Sequence, residues 1–436
     1  MGHHSSTSPQ PQRRLTRTVP ALLLSLLLAS AMPVAAAPPV PAANARVITT
    51  WNQHAVARIT AAGGSPTNFN YFAFVHLAMY NAVVGITGEY ELYRWNKKAP
   101  HNASPEAAAA AAAHRVLVHY FGTTPEIVAD LDAKLAASLA LVPDGGPQDK
   151  AIGWGVRAAN HIIALRANDG RNAAVTVPVG TGAGHWRPEP DIPAAQFTSA
   201  WLGGVTPLAI NSATQFAPGP PPPISNGTYL TEFIEVRDYG GTNLDTLRQP
   251  DQTQTALFFS DAGIGPMQGA LREFATRKAL DIDDSARMFA AADVAIADGA
   301  ITVWNGKLEY MWWRPITAIH NADIDGLDET TAIPGWTPRI GTPPYPDWPS
   351  GLCSVVGAVS TTLQRLNGNN TLDLTITSGA AGETRNFATK ALIAEQAVNA
   401  RVWSGIHFRT ADEVSITIGS NVANYVLDHY FQPTGD

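Results

Sequence analysis

Cysteine is almost missing from this chain: Cys353 stands alone in 436 residues. One thiol excludes an intrachain disulfide, and without paired cysteines there is no CxxC-type zinc motif. Charge is sparse too. Asp, Glu, Lys and Arg make up 15% of the sequence, against about a quarter in ordinary soluble proteins, while 45% of residues are hydrophobic. So apolar a chain is not disordered throughout. Basic residues are outnumbered 29 to 36, a net charge of −7. Nucleic-acid affinity comes mainly from Lys and Arg on phosphates, so this balance argues against a nucleic-acid partner. Strand-like alternation is scarce as well; the best stretch, Ala174 to Val179, is short and contains Pro178. There is no G-x4-G-K-[ST], H-E-x-x-H or G-x-S-x-G string, and the glycines of Gly180 to Gly184 lack the strand-helix setting of a dinucleotide loop.

Long apolar runs are confined to the N-terminus. Arg13, Arg14 and Arg17 precede the Leu-rich run Ala21 to Ala31, and Val34-Ala35-Ala36 supplies the small-residue pattern that a signal peptidase reads. Residues 1–36 are therefore expected to be a signal peptide. Cleavage after Ala36 leaves 400 residues with 26 basic and 36 acidic side chains. Arg13-Arg14 keeps twin-arginine export open beside the ordinary Sec route. The run is too short to span a bilayer. The expectation is a soluble secreted protein, extracellular or periplasmic, with no membrane span once the leader is removed.

What remains reads as helix. Residues 37–45 form an Ala/Pro linker. Ser65-Pro66, Ser104-Pro105-Glu106 and Thr124-Pro125-Glu126 each join a capping hydroxyl to an N1 proline. Phe72, Val75, Met79 and Val83 recur at a helical period. Residues 170–226, rich in Gly and Pro, form a long irregular segment of the kind that is usually functional or wraps other elements. Helical patterns resume at 228–237, 251–261, 266–278, 284–313, 350–366, 386–404 and 410–430. The expected organisation is an all-α fold of two packed helical bundles with long connecting loops. Residues 46–226 form the N-terminal helical region and 227–436 the C-terminal bundle.

Three short strings carry chemistry. Lys307 and Arg314 lie seven residues apart on one predicted helix, which returns them to within about 20° of one face. Pro315 then places the guanidinium at a helix end. Two solvated basic residues would look the same. Pro346-Asp347-Trp348-Pro349-Ser350-Gly351 precedes an apolar-periodic run, so Ser350 and Gly351 offer a hydroxyl and free amides to an anion, or plain N-capping. Arg401-Val402-Trp403-Ser404-Gly405-Ile406-His407 brings a forked cation and, through a turn at Gly405, an imidazole to one point. Asp412 is placed to accept the other ring N–H of His407 and fix its tautomer. Each string alone is weak. Together, three cations, an amide nest and an imidazole describe a pocket for one small tetrahedral oxyanion.

In order and spacing, Lys307-x6-Arg314-Pro315, Pro349-Ser350-Gly351 and Arg401-x5-His407-x4-Asp412 resemble the three-part signature of the vanadium-dependent haloperoxidases and type 2 phosphatidic acid phosphatases. Trp186-Arg187-Pro188 and the segment His76 to Val83 resemble parts of the secreted bacterial haloperoxidase-like branch. The resemblance implies a haloperoxidase-like fold in which Lys307, Arg314, Arg401, Ser350 and Gly351 hold vanadate, with phosphate able to occupy the same place. It implies that His407 is the axial vanadium ligand, or the nucleophile that accepts a phosphoryl group. Hydrogen peroxide and halide, or a phosphomonoester, are the implied small-molecule partners. Trp304, Tyr345 and Leu352 are the expected pocket lining.

One position departs from the signature. The family follows Pro-Ser-Gly with His, an acid-base group; here Leu352 stands there. Losing such a group costs roughly 10²- to 10⁴-fold, so the implied activity is an impaired haloperoxidase. An acid phosphatase with a phosphohistidine intermediate and a non-catalytic oxyanion-binding homologue are the alternatives. Cys353, one helical step on, is expected to point about 100° away from the site. His320 and His185 are the histidines to inspect as substitutes. Homodimerisation is left open.

Overall fold

The computed structural model describes residue 1 and residues 44–63, 66–189, 196–242, 246–261, 263–368 and 371–435. The expected signal peptide beyond Met1, most of the linker and the Ser65 cap lie outside these residues.

Thirteen α-helices are present among the described residues: α1 Arg46–Ala62, α2 Phe69–Thr87, α3 Pro105–Phe121, α4 Pro125–Leu139, α5 Gly146–Leu165, α6 Gly227–Gly240, α7 Pro250–Phe258, α8 Ile264–Arg277, α9 Ile282–Tyr310, α10 Pro315–His320, α11 Gly351–Leu366, α12 Lys390–Trp403 and α13 Arg409–His429. The cap chemistry read from the sequence operates. Ser104 Oγ accepts from Ala107 N at 3.2 Å and Thr124 Oγ1 from Ile127 N at 3.5 Å, satisfying amides that the first helical turn leaves free. Ala174 to Val179 forms no strand. The sheet that does form is a hairpin, β1 Leu374–Ser378 and β2 Glu383–Phe387, antiparallel with Leu374 opposite Phe387. Its second strand takes the start of the helix expected over 386–404, because Thr389 caps the helix three residues later by accepting from Leu392 N. Five-residue strands are too short for their alternation to stand out in sequence.

The axis of the fold is α9, 29 residues long. Asp281 caps it by accepting from Asp284 N at 2.8 Å, and Asp283 and Asp284 add negative charge at its positive end. Nearly every α9 side chain is buried, so alanines and glycines on it let α2, α11 and α13 pack against it. The α11 and α13 backbones come closer still: a Cβ on Gly419 would lie 2.0 Å from Ser354 O. One apolar cluster extends from Trp51 on α1 to Val426 on α13. Within it, Phe69–Thr87 is long and apolar enough to cross a membrane, but 83% of its apolar stretch is buried, the setting of a core helix. A second cluster joins Tyr229 and Phe233 of α6 to Trp313, Trp336, Val402 and Phe408. It grips residues flanking Arg314 and His407.

The irregular 170–226 segment also positions the site. Trp186 N donates to Met311 O at 2.6 Å, Trp313 N to Gly184 O at 3.0 Å, and Thr198 N to Pro344 O at 2.9 Å. These bonds pin the chain leaving α9 and the loop that precedes Ser350.

Candidate active site

Lys307 and Arg314 do not share a helix, contrary to the sequence expectation. α9 ends at Tyr310, and Met311 turns into the left-handed region with φ of 43°. Arg314 is the extended N-cap of α10, with Pro315 at its first helical position. The two cations still converge, through the loop before α11. Lys307 Nζ donates to the carbonyls of Pro346 and Asp347 at 2.6 and 3.0 Å. Arg314 Nε donates to Tyr345 O at 2.8 Å and Nη1 to Ile406 O at 2.6 Å. Ser350 is the N-cap of α11, and its amide is fixed by Ser415 Oγ at 2.8 Å. Its hydroxyl makes no capping bond and lies 3.5 Å from His407 Nε2. Arg401 comes from the last turn of α12. His407 follows a turn at Gly405, where φ is +79°.

Asp412 does not meet His407. The carboxylate against the imidazole is Asp347, with Oδ1 2.6 Å from His407 Nδ1 and 3.5 Å from Arg314 Nη1. The sequence reading chose Asp412 for its closeness in the chain. Asp412 sits instead in the first turn of α13 facing α11, where Cys353 Sγ lies 3.4 Å from its Oδ1. The thiol accordingly turns away from the site, as expected. Sequence reasoning passed over Asp347 although it stands three residues before Ser350 in the second string.

A cavity of about 240 Å³ opens onto this cluster, lined by Trp304, Tyr345, Gly351, Leu352, Arg401 and His407, with Phe69, Phe259 and Val355 among its apolar walls. The three expected lining residues thus face it. Lys307, Arg314 and Ser350 stand behind that surface, all fully buried. His320 and His185 do not line the cavity; His320 Nε2 is 2.6 Å from Trp336 O, and His185 bridges to the backbone of Trp312. His76 is held in the core 2.5 Å from Asp293.

Burial dominates the electrostatics. It depresses His407 well below the ordinary imidazole range, and Arg314, Arg401 and Lys307 push in the same direction. Burial, reinforced by Arg314, also lowers Lys307, while Asp347 is raised to about 7 against the pull of Arg314 and Lys307. Asp347 lies against Nδ1 of the ring, and Nε2 faces Arg314 Nη1 and the Ser350 hydroxyl at 3.1 and 3.5 Å. Arg314 Nη2 and Arg401 Nε are buried with no hydrogen-bond partner. Unmet cationic donors around a cavity, at the N-terminus of α11, form a donor set for a small oxyanion. Vanadate and phosphate both fit that set.

Residues 287–435 match the family profile described as "VCPO second helical-bundle domain". That match covers about a third of the chain, its C-terminal part. Vanadium chloroperoxidase of Curvularia inaequalis is 27% identical over 208 residues, which cover 40% of this chain and 34% of that protein. The chain therefore matches only about a third of that relative's length. Among solved structures, a bacterial vanadium-dependent iodoperoxidase superposes with a TM-score of 0.73 at 23% identity, covering 90% of this chain and 97% of the other. The holo form of a bacterial vanadium-dependent chloroperoxidase superposes at 0.66 with 18% identity, covering 87% and 98%. The fold is therefore the haloperoxidase-like helical fold. All three motif strings lie within residues 287–435.

Proposed function

We propose that this chain is a vanadium haloperoxidase-like oxidoreductase that uses hydrogen peroxide to oxidise halide, with its vanadate held at His407. The observation that carries this reading is the convergence of Lys307, Arg314, Arg401, Ser350 and His407 beside one cavity, with two guanidinium donors left unmet. Vanadate, when bound, supplies the Lewis-acid centre at which peroxide is activated. Lys307, Arg314 and Arg401 neutralise the anion, Ser350 and the Gly351 amide donate to its oxygens, and His407 Nε2 meets it with a lone pair. Asp347 lies against Nδ1 and so orients the ring. Leu352 and Phe69 keep the anion's surroundings dry. Residues 227–436 supply the anion-holding groups in this reading, and residues 1–36 act as the export signal. N-terminal sequencing of the exported protein should then begin at Ala37.

Leu352 favours a second reading, an oxyanion-binding homologue without turnover. Bromide oxidation and p-nitrophenyl phosphate hydrolysis, assayed side by side with and without orthovanadate, separate the readings. The expected result is near-stoichiometric orthovanadate binding, vanadate-dependent bromide oxidation, and loss of both on His407→Ala. Peroxidase activity that needs no vanadate sinks the proposal. Phosphatase turnover alone assigns the chain to the acid phosphatase branch, and binding without turnover to the non-catalytic one.

A further inference from the structure

Five side chains lining the cavity carry a polar hydrogen: Ser260, Trp304, Tyr345, Arg401 and His407. Four are committed elsewhere. Ser260 donates to Leu257 O at 2.8 Å and Trp304 to Thr198 O at 3.1 Å. A guanidinium does not give up its proton in proteins. His407 has Asp347 against Nδ1 and meets the anion with Nε2. Tyr345 lines the cavity too, and its hydroxyl forms no hydrogen bond with a described residue.

The ring of Tyr345 is also held in place. Trp304 packs on it with centroids 5.1 Å apart, and Lys307 Nζ and Arg314 Cζ lie 5.0 and 4.9 Å from its centroid. Its own carbonyl accepts from Arg314 Nε, so the same guanidinium fixes its backbone. Arg401 interacts with it electrostatically. Leu352, by contrast, lines the same cavity with no proton to offer.

Resting on the oxyanion-site reading above, we propose that Tyr345 is the acid-base residue of this site, its phenol exchanging a proton with the cavity-facing oxygen of the bound anion. The phenolic O–H breaks as an O–H bond forms on the departing oxygen, which leaves as water, or as an alcohol from a phosphomonoester. The next hydrogen peroxide or water returns a proton to the phenolate as its oxygen enters, so Tyr345 ends each turn as it began.

The test compares the full mature protein with Tyr345→Phe, which keeps the ring, and with Tyr310→Phe, whose hydroxyl donates to Pro218 O away from the cavity. Inorganic phosphate is the first probe. Ultraviolet difference spectra should show a tyrosine perturbation on phosphate binding in the wild type and in Tyr310→Phe, and lose it in Tyr345→Phe. Orthovanadate affinity in Tyr345→Phe should stay within about 100-fold of wild type, the scale of one lost hydrogen bond to a charged group. Turnover should fall about 10²-fold or more and recover when Leu352→His is added. Phosphate binding with the same tyrosine perturbation in Tyr345→Phe, or unchanged turnover and pH profile in that variant, overturns the assignment of Tyr345 alone. A wild type that binds neither phosphate nor orthovanadate overturns the oxyanion-site reading, and this proposal with it.

Discussion

Gly405→Ala is expected to damage this protein twice, once in stability and more severely at the site. Gly405 has φ of +79°, and a Cβ there would lie 2.5 Å from Gly240 O and 3.0 Å from Pro338 Cα, backbone atoms that do not move aside cheaply. Left-handed strain on an alanine costs roughly 1–2 kcal/mol, and forcing an extra methyl into a packed contact adds about 1–3 kcal/mol. At an unfolding entropy of about 2.1 cal/mol/K per residue, that total of about 2–5 kcal/mol lowers Tm by roughly 2–6 °C. Relieving the clash moves the turn by about 1 Å, and His407 is two residues on. A misplacement of that size costs about 10²-fold in a positioned catalytic group. Gly326→Ala is the control: φ is +80° there, but nothing lies within 4 Å of the added Cβ. Differential scanning fluorimetry and orthovanadate titration of both variants check the reasoning. If Gly405→Ala shifts Tm no more than Gly326→Ala and binds orthovanadate as wild type does, the turn is not held by that contact.

Two further outcomes follow from the site. Leu352→His should raise bromide oxidation or p-nitrophenyl phosphate hydrolysis about 10- to 100-fold by adding a second proton-transfer group beside the anion; if neither assay moves, a side chain at 352 does not reach the anion. Asp347 is raised to about 7 by burial, so the folded protein holds a proton that the unfolded chain releases near pH 4. Its contribution to the stability of anion-free protein therefore falls as pH rises from about 4 to 7. Asp347→Asn should lose that slope. Because Asp283, raised to about 6 by burial, has the same sign, the comparison is the difference in Tm between wild type and variant across pH; parallel curves refute it.

Most of the helical content was legible locally. Ser104-Pro105 and Thr124-Pro125 announce helix starts because a capping hydroxyl and a fixed proline φ act within one turn. The hairpin at 374–387 was not, since a five-residue alternation has little local signal and is stabilised by burying Leu374 and Ile376 against distant helices. The end of α9 at Tyr310 was also misjudged. Trp312 and Trp313 continue the apolar pattern, but Trp186 and Gly184 capture the backbone there from more than 120 residues away.

The sequence by itself determined the chemistry of the site: three cations, a Ser-Gly helix start, an imidazole after a glycine turn, and a leucine where the signature has histidine. Those identities sit in short strings whose spacing survives any rearrangement between them. Only the tertiary structure decided the pairings. Asp347 rather than Asp412 stands against His407, Arg314 reaches the site from a new helix, and Tyr345 comes to line the cavity, because each depends on how the loop before Ser350 is tied to Lys307, Arg314 and Thr198. Separation along the chain carries no information about such contacts. They are set by which buried polar groups find partners once the helices have packed.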